Sequence, residues 1–146
     1  MHGTKLVLIG PAVAAVIAMA GCDPQPAAKS ATAPATSAAA TEDAATKKAC
    51  DALEKDIKDN ATLVAKAKKI GPPAGHIAVS AQWIAGSAAV AGHSIGANEK
   101  VSAAADKVQQ AMSELSDEYN KSSTAKPSTK KLDAAVTELN TACSAA

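Results

Sequence analysis

The chain has 146 residues, a formal net charge of +1 at neutral pH and no arginine, all 15 of its cationic side chains being lysine. Phenylalanine is absent, and Trp83 and Tyr119 are the only aromatic residues. This excludes a dedicated nucleic-acid or phosphate reader, because arginine is the usual bidentate partner and aromatic rings supply the base stacking.

Residues 1–21 form the first element. Lys5 gives a charged start, Leu6 to Ala18 is an uncharged, mostly apolar run, and Met19-Ala20-Gly21 leads straight into Cys22. The run is shorter than the about 20 residues of a spanning helix. A charged start and small residues before a cut site fit a processed signal. These residues resemble a bacterial lipoprotein signal peptide, with Met19-Ala20-Gly21-Cys22 standing at the lipobox. The resemblance implies a diacylglycerol on the Cys22 sulfur and cleavage just before it. It places the mature chain on the outer face of the cytoplasmic membrane, which in a diderm host is the periplasmic face of the inner membrane. There, Asp23 would act as a retention signal. The alternative is an ordinary signal peptide with an incidental cysteine. Each buried CH₂ of a lipid contributes about 0.8 kcal/mol, and two chains anchor stably.

Cleavage removes Lys5 and no acid, so 14 lysines face 14 acids in the mature chain. Residues 22–45 form the second element. They are Ala, Thr, Ser and Pro with few charges and no apolar period, which predicts a flexible spacer with a typical span of roughly 25 Å.

Residues 46–146 read as a helical domain. Cys50, Leu53, Ile57, Ala61 and Val64 recur at three- and four-residue spacing, while Glu54 precedes Lys58 by four, a favourable helical pair. Gly71-Pro72-Pro73 ends this first helix. A second is predicted from about Ala74 to Ala91, with Ile77, Ala81, Ile84, Ala88 and Ala91 on its inner face. Asn98 is the predicted N-cap of a third, which carries Val101, Ala104, Val108, Met112, Leu115 and Tyr119 inward. Pro127 suits the first turn of a fourth, with Leu132, Val136, Leu139 and Cys143 inward.

Four amphipathic helices with short loops predict an all-α, up-down-up-down four-helix bundle. A core rich in Ala and Val predicts closely packed helices and small cavities. With Cys22 given to lipid, Cys50 and Cys143 remain as a pair in an exported chain, where disulfides persist. Up-down topology brings the start of the first helix and the end of the fourth to one pole, and the two cysteines sit there. A disulfide follows, contributing roughly 4–5 kcal/mol in the chain-entropy model. The alternatives are two free thiols, or a metal site whose other ligands have no recognisable spacing.

The chain also resembles the short Ala-rich lipoproteins and secreted proteins exported by actinobacteria. The matching pieces are Ala20-Gly21-Cys22, Lys48-Ala49-Cys50 and Thr141-Ala142-Cys143. That family has no assigned activity, so the resemblance carries no catalytic residue with it.

Candidate chemistry is sparse. Gly92-His93-Ser94-Ile95-Gly96 matches the G-x-S-x-G pattern of serine hydrolases, but helical spacing precedes it and no histidine follows His93. His76 and His93 lack metal-site spacing, and no metal or other cofactor is expected. Ile70 to Asn98 holds no Lys, Asp or Glu. It predicts either a heavily buried second helix or one whose apolar face, centred on Trp83, is a partner or acyl-chain surface. Lys66 and Lys69 end the first helix, whereas Lys130 and Lys131 begin the fourth, against its dipole. These four should meet at one pole, which would attract an anionic polymer or an envelope protein, or simply be a solvated end. The sequence thus predicts a non-catalytic, membrane-anchored module for binding or envelope interaction. The alternative is a carrier of a small apolar ligand between the helices. An apolar pocket beside Trp83 would favour the carrier, whereas a filled core with a flat exposed patch would favour the binding module.

Overall fold

The last proline of the Ala/Thr/Pro segment is Pro34, and a helix starts two residues later. The computed structural model of the protein describes residues 36–146, with side-chain environments from residue 40. It contains α1 (Thr36–Lys68), α2 (Gly75–His93), α3 (Glu99–Lys121) and α4 (Lys130–Ser144). The expected signal peptide, the expected lipid site at Cys22 and the expected spacer as far as residue 35 lie outside the described residues. The spacer expected to reach residue 45 ends earlier, because residues 36–45 are already helical. Alanine, the strongest helix former, dominates the start of this stretch, and no proline interrupts it. Residues 40–45 are all exposed, and burial begins at Thr46. Burial of α1 therefore begins ten residues after the helix itself.

The helices form an up-down-up-down bundle closed by a Cys50–Cys143 disulfide, with a Cα–Cα distance of 5.7 Å. Gly71 (φ +72°) ends α1 in the left-handed region that favours glycine, and Gly96 (φ +86°) does the same between α2 and α3. Asn98 caps α3 as its sequence position predicts, its Oδ1 accepting from the Val101 N–H at 3.0 Å. The Asn98 N–H donates in turn to Thr46 Oγ1 at 2.9 Å, tying the α2–α3 turn to α1. Pro127 lies three residues before α4 rather than in its first turn.

The core draws on all four helices. Leu53 and Val64 of α1, Val79, Trp83 and Val90 of α2, and Leu132 and Leu139 of α4 surround the buried stripe of α3. That stripe is the predicted one, Val101, Ala104, Val108, Met112, Leu115 and Tyr119. The register of α2 differs from expectation. Its buried face is Val79, Ser80, Trp83, Gly86, Ser87 and Val90, whereas Ile77 and Ile84 are 59% and 55% exposed. The physical reason is the position of α2 between α1 and α3. Close approach on two sides is met by Ser80, Gly86 and Ser87, which lie in the buried face beside Val79, Trp83 and Val90, while the isoleucines turn outward. Ser80 and Ser116 share a buried hydrogen bond at 2.7 Å, and Ser87 and Ser113 share one at 3.1 Å. Gly86 sits against Asn60 so closely that a Cβ there would lie 2.4 Å from Asn60 Cγ.

α2 packs along α1 and α3, and α4 packs along α3, but α4 and α1 meet only sparsely. The close packing expected of an Ala/Val core holds for α2 against α1 and α3 but not between α1 and α4. The seam between α1 and α4 stays open.

Candidate functional site

The open seam is an apolar cleft of about 420 Å³. One stripe of α1, Ile57, Ala61, Val64 and Lys68 at three- and four-residue spacing, forms one wall. Leu132 and Val136 of α4 form the other, and Trp83 of α2 and Met112 of α3 complete the lining. The cleft exists because α1 presents alanines where a filled bundle would present larger side chains. Ala61 and Ala65 both border the space, and neither reaches across it. The polar residues of its lining are Lys68, Thr129 and Asp133. The Lys68 ammonium lies 6.0 Å from the centre of the Tyr119 ring, at the outer limit of a cation–π contact. Asp133 accepts a hydrogen bond from Thr129 Oγ1 at 3.1 Å. Trp83 is 5% exposed, and its Nε1–H has no hydrogen-bond partner among the described residues.

A larger recess of about 680 Å³ surrounds the disulfide, and Ile57 and Val136 border both spaces. Its rim carries Lys47, Asp51, Glu54 and Lys58, so it is a solvated depression rather than an apolar site. The apolar space is the better candidate despite its smaller volume, because its lining can desolvate a ligand.

Cys50 and Cys143 are bonded to each other. Trp83 is not at the centre of an exposed face; it is buried, and the exposed face of α2 is the isoleucine side. Lys66 and Lys69 are exposed at the end of α1, and Lys130 and Lys131 are exposed at the start of α4. The end of α1 and the start of α4 share one pole, where Lys68 and Thr129 border the same cleft. That pole is not purely basic. Lys131 Nζ donates to both carboxylate oxygens of Glu114, at 2.5 and 2.6 Å. The hydrogen bond from Lys131 holds the Glu114 carboxyl below the usual glutamate range. This pairing accounts for a lysine that opposes the α4 dipole.

The G-x-S-x-G segment is a helix end. Ser94 caps α2, its N–H donating to the Val90 carbonyl and its hydroxyl to the Ala91 carbonyl. His93 Nδ1 pairs with Asp56 Oδ2 at 2.5 Å. Among the described residues no group of His, Cys, Asp and Glu could hold a metal ion, and no helix is long and apolar enough to cross a membrane. No family model, curated protein or solved structure matches this chain. The sequence singled out Trp83 and, on the inner faces, Ile57, Ala61, Val64, Leu132 and Val136, but not the open space between those faces. The signal for that space was the paired alanines, Ala61 and Ala65, on an otherwise large-residue stripe.

Proposed function

We propose that this protein is a lipid-anchored, non-catalytic binding protein held at the membrane surface by Cys22, and that its helical domain takes a small apolar ligand into the α1–α4 cleft. The observation that carries this reading is the apolar space beside Trp83. Its volume falls within the about 300–1,000 Å³ of small-molecule sites, and apolar walls with a few polar groups are their usual lining. A ligand lying along the seam would have its apolar body between Ile57, Val64, Leu132 and Val136 and a polar end near Lys68 and Thr129. A non-catalytic role is supported by Ser94, whose hydroxyl donates to the Ala91 carbonyl of its own helix end and not to a histidine.

Trp83 is the sole tryptophan, so its emission reports on the cleft without ambiguity. Titration with laurate should shift the emission saturably. Ala61→Leu with Ala65→Leu should fill the cleft, weaken that binding at least about tenfold and leave the melting temperature unchanged or raised. A linear, unsaturable response, or equal affinity in the filled variant, rejects the cleft as the site.

A second reading, envelope interaction through the bundle surface, is favoured by a separate observation, the exposed isoleucines of α2.

A further inference from the structure

The outward side of α2 is unlike every other surface of the domain. Ile77, Ala81, Ile84, Ala85, Ala88 and Gly92 follow one another along a single helical stripe, and all are exposed. Ile70, before the helix, and Ile95, after it, are exposed as well, at 60% and 82%. From Ile70 to Asn98 there is no lysine, aspartate or glutamate. The outward sides of α1, α3 and α4 carry charges such as Glu54, Lys58, Lys107 and Glu138. Two exposed isoleucines on the helix and one beyond each of its ends are more than a solvated face needs, so something covers this one.

Two occupants compete, a second copy of the chain and a lipid surface. A helix of 19 residues is about 28 Å long, and a strip about 10 Å wide along it offers roughly 300 Å². A stable protein interface needs about 800 Å² per partner. The stripe is too small to hold a free dimer together. It is not too small for a surface to which the chain is already tied. Residues 23–35 can extend at most about 45 Å, so a lipid on Cys22 keeps the domain next to the bilayer at high effective concentration, where a weak face suffices. Charge agrees. Lys66 and Lys69 stand just before Ile70, neither in an ion pair among the described residues, and cations beside an apolar strip suit anionic headgroups. No acid lies within the strip itself, and Asp56, near its far end, is held by His93.

We infer that the outward face of α2 lies on the lipid bilayer, the isoleucine side chains entering the boundary between headgroups and acyl chains; this rests on the Cys22 anchor proposed above. The interaction is a shallow, reversible one of the interfacial kind. It leaves the α1–α4 cleft free, since α2 contributes only Trp83 to that cleft and from its opposite side.

The full lipidated chain, reconstituted into phosphatidylcholine–phosphatidylglycerol vesicles that contain a phospholipid with a photoactivatable acyl chain, tests this. After flotation and irradiation, the labelled residues are mapped by mass spectrometry, and the Cys22 peptide is weighed in the same sample. Labelling should concentrate on residues 70–95. It should fall about tenfold in the Ile77→Asp, Ile84→Asp double variant, which keeps its fold because both positions are exposed. Vesicles that float the chain while α2 stays unlabelled, or labelled no more than the outer sides of α3 and α4, overturn the face and leave the anchor standing. A chain with unmodified Cys22 that does not float overturns both. Chain-to-chain crosslinks through α2 that vanish in the double variant assign the face to a second copy instead. Label confined to Ile57 and Val136 marks the cleft and counts against the face.

Discussion

Gly86 and Gly92 stand on the same helix and should respond to alanine in opposite ways. Intrinsic propensity favours alanine over glycine in a helix by about 0.8–1.0 kcal/mol. At Gly92 a Cβ would meet nothing within 4 Å, so Gly92→Ala should stabilise by about 0.5 kcal/mol or a little less, since the position is near the end of α2. At Gly86 a Cβ would stand 2.4 Å from Asn60 Cγ, and Asn60 is buried and hemmed in. Overpacking then outweighs propensity, and Gly86→Ala should destabilise by about 1–3 kcal/mol. Urea unfolding of the two variants checks the signs. Stabilisation of both would mean that α1 and α2 are not in close contact at this point.

At the level of elements, the bundle, the disulfide pole and the α3 stripe were all legible in the sequence, because α3 alternates charge and apolar bulk at helical spacing. α2 was misread for a physical reason. Both of its sides are apolar, so periodicity has nothing to contrast, and size was taken as the mark of the core. A helix wedged between two others needs small residues where they approach it most closely, and the serines and glycine at 80, 86 and 87 were the informative signal. The open α1–α4 seam was not legible, because an alanine reads equally as tight packing or as a missing side chain. The Lys131–Glu114 pair was also missed, since it joins helices whose relative rotation only the fold defines. It changes what charge reversal should do. Lys130→Glu removes a cation that opposes the α4 dipole and should raise the melting temperature by about one or two degrees. Lys131→Glu places a second carboxylate beside Glu114 and should lower it. The pH dependence has a definite sign. The Glu114 carboxyl is held low chiefly by the hydrogen bond from Lys131, so its contribution is present above the ordinary glutamate value of about 4.3 and is lost as pH falls through the lowered one. The stability gap between the native chain and Lys131→Ala should therefore be constant near neutrality and close in acid. A gap that persists at pH 2 would assign the effect of Lys131 to packing.

For the molecule as a whole, the disulfide and the cleft are two ends of one seam. Cys50–Cys143 fixes α4 against α1 at one pole, while elsewhere α4 rests mainly on α3 through Leu132, Ala135 and Leu139. Reduction should cost about 2–5 kcal/mol, as for disulfides in small secreted domains. The loss should not be uniform. Amide exchange in α4 should quicken more than in α2 or α3, because α4 alone loses its hold on a second helix. Ligand binding should respond as well, since α4 is one wall of the cleft. In the oxidised chain, ligand at about 100 times its dissociation constant adds about 2.7 kcal/mol. For a domain of this size that raises the melting temperature by roughly 10–20 degrees. In the reduced chain the same ligand must also bring α4 back against α1, so affinity is weaker and the shift smaller. Thermal melts with and without laurate, before and after reduction, measure the coupling directly. Equal shifts in the two redox states would show that α4 keeps its place without the bond, and that the disulfide guards the chain against unfolding rather than shaping the cleft.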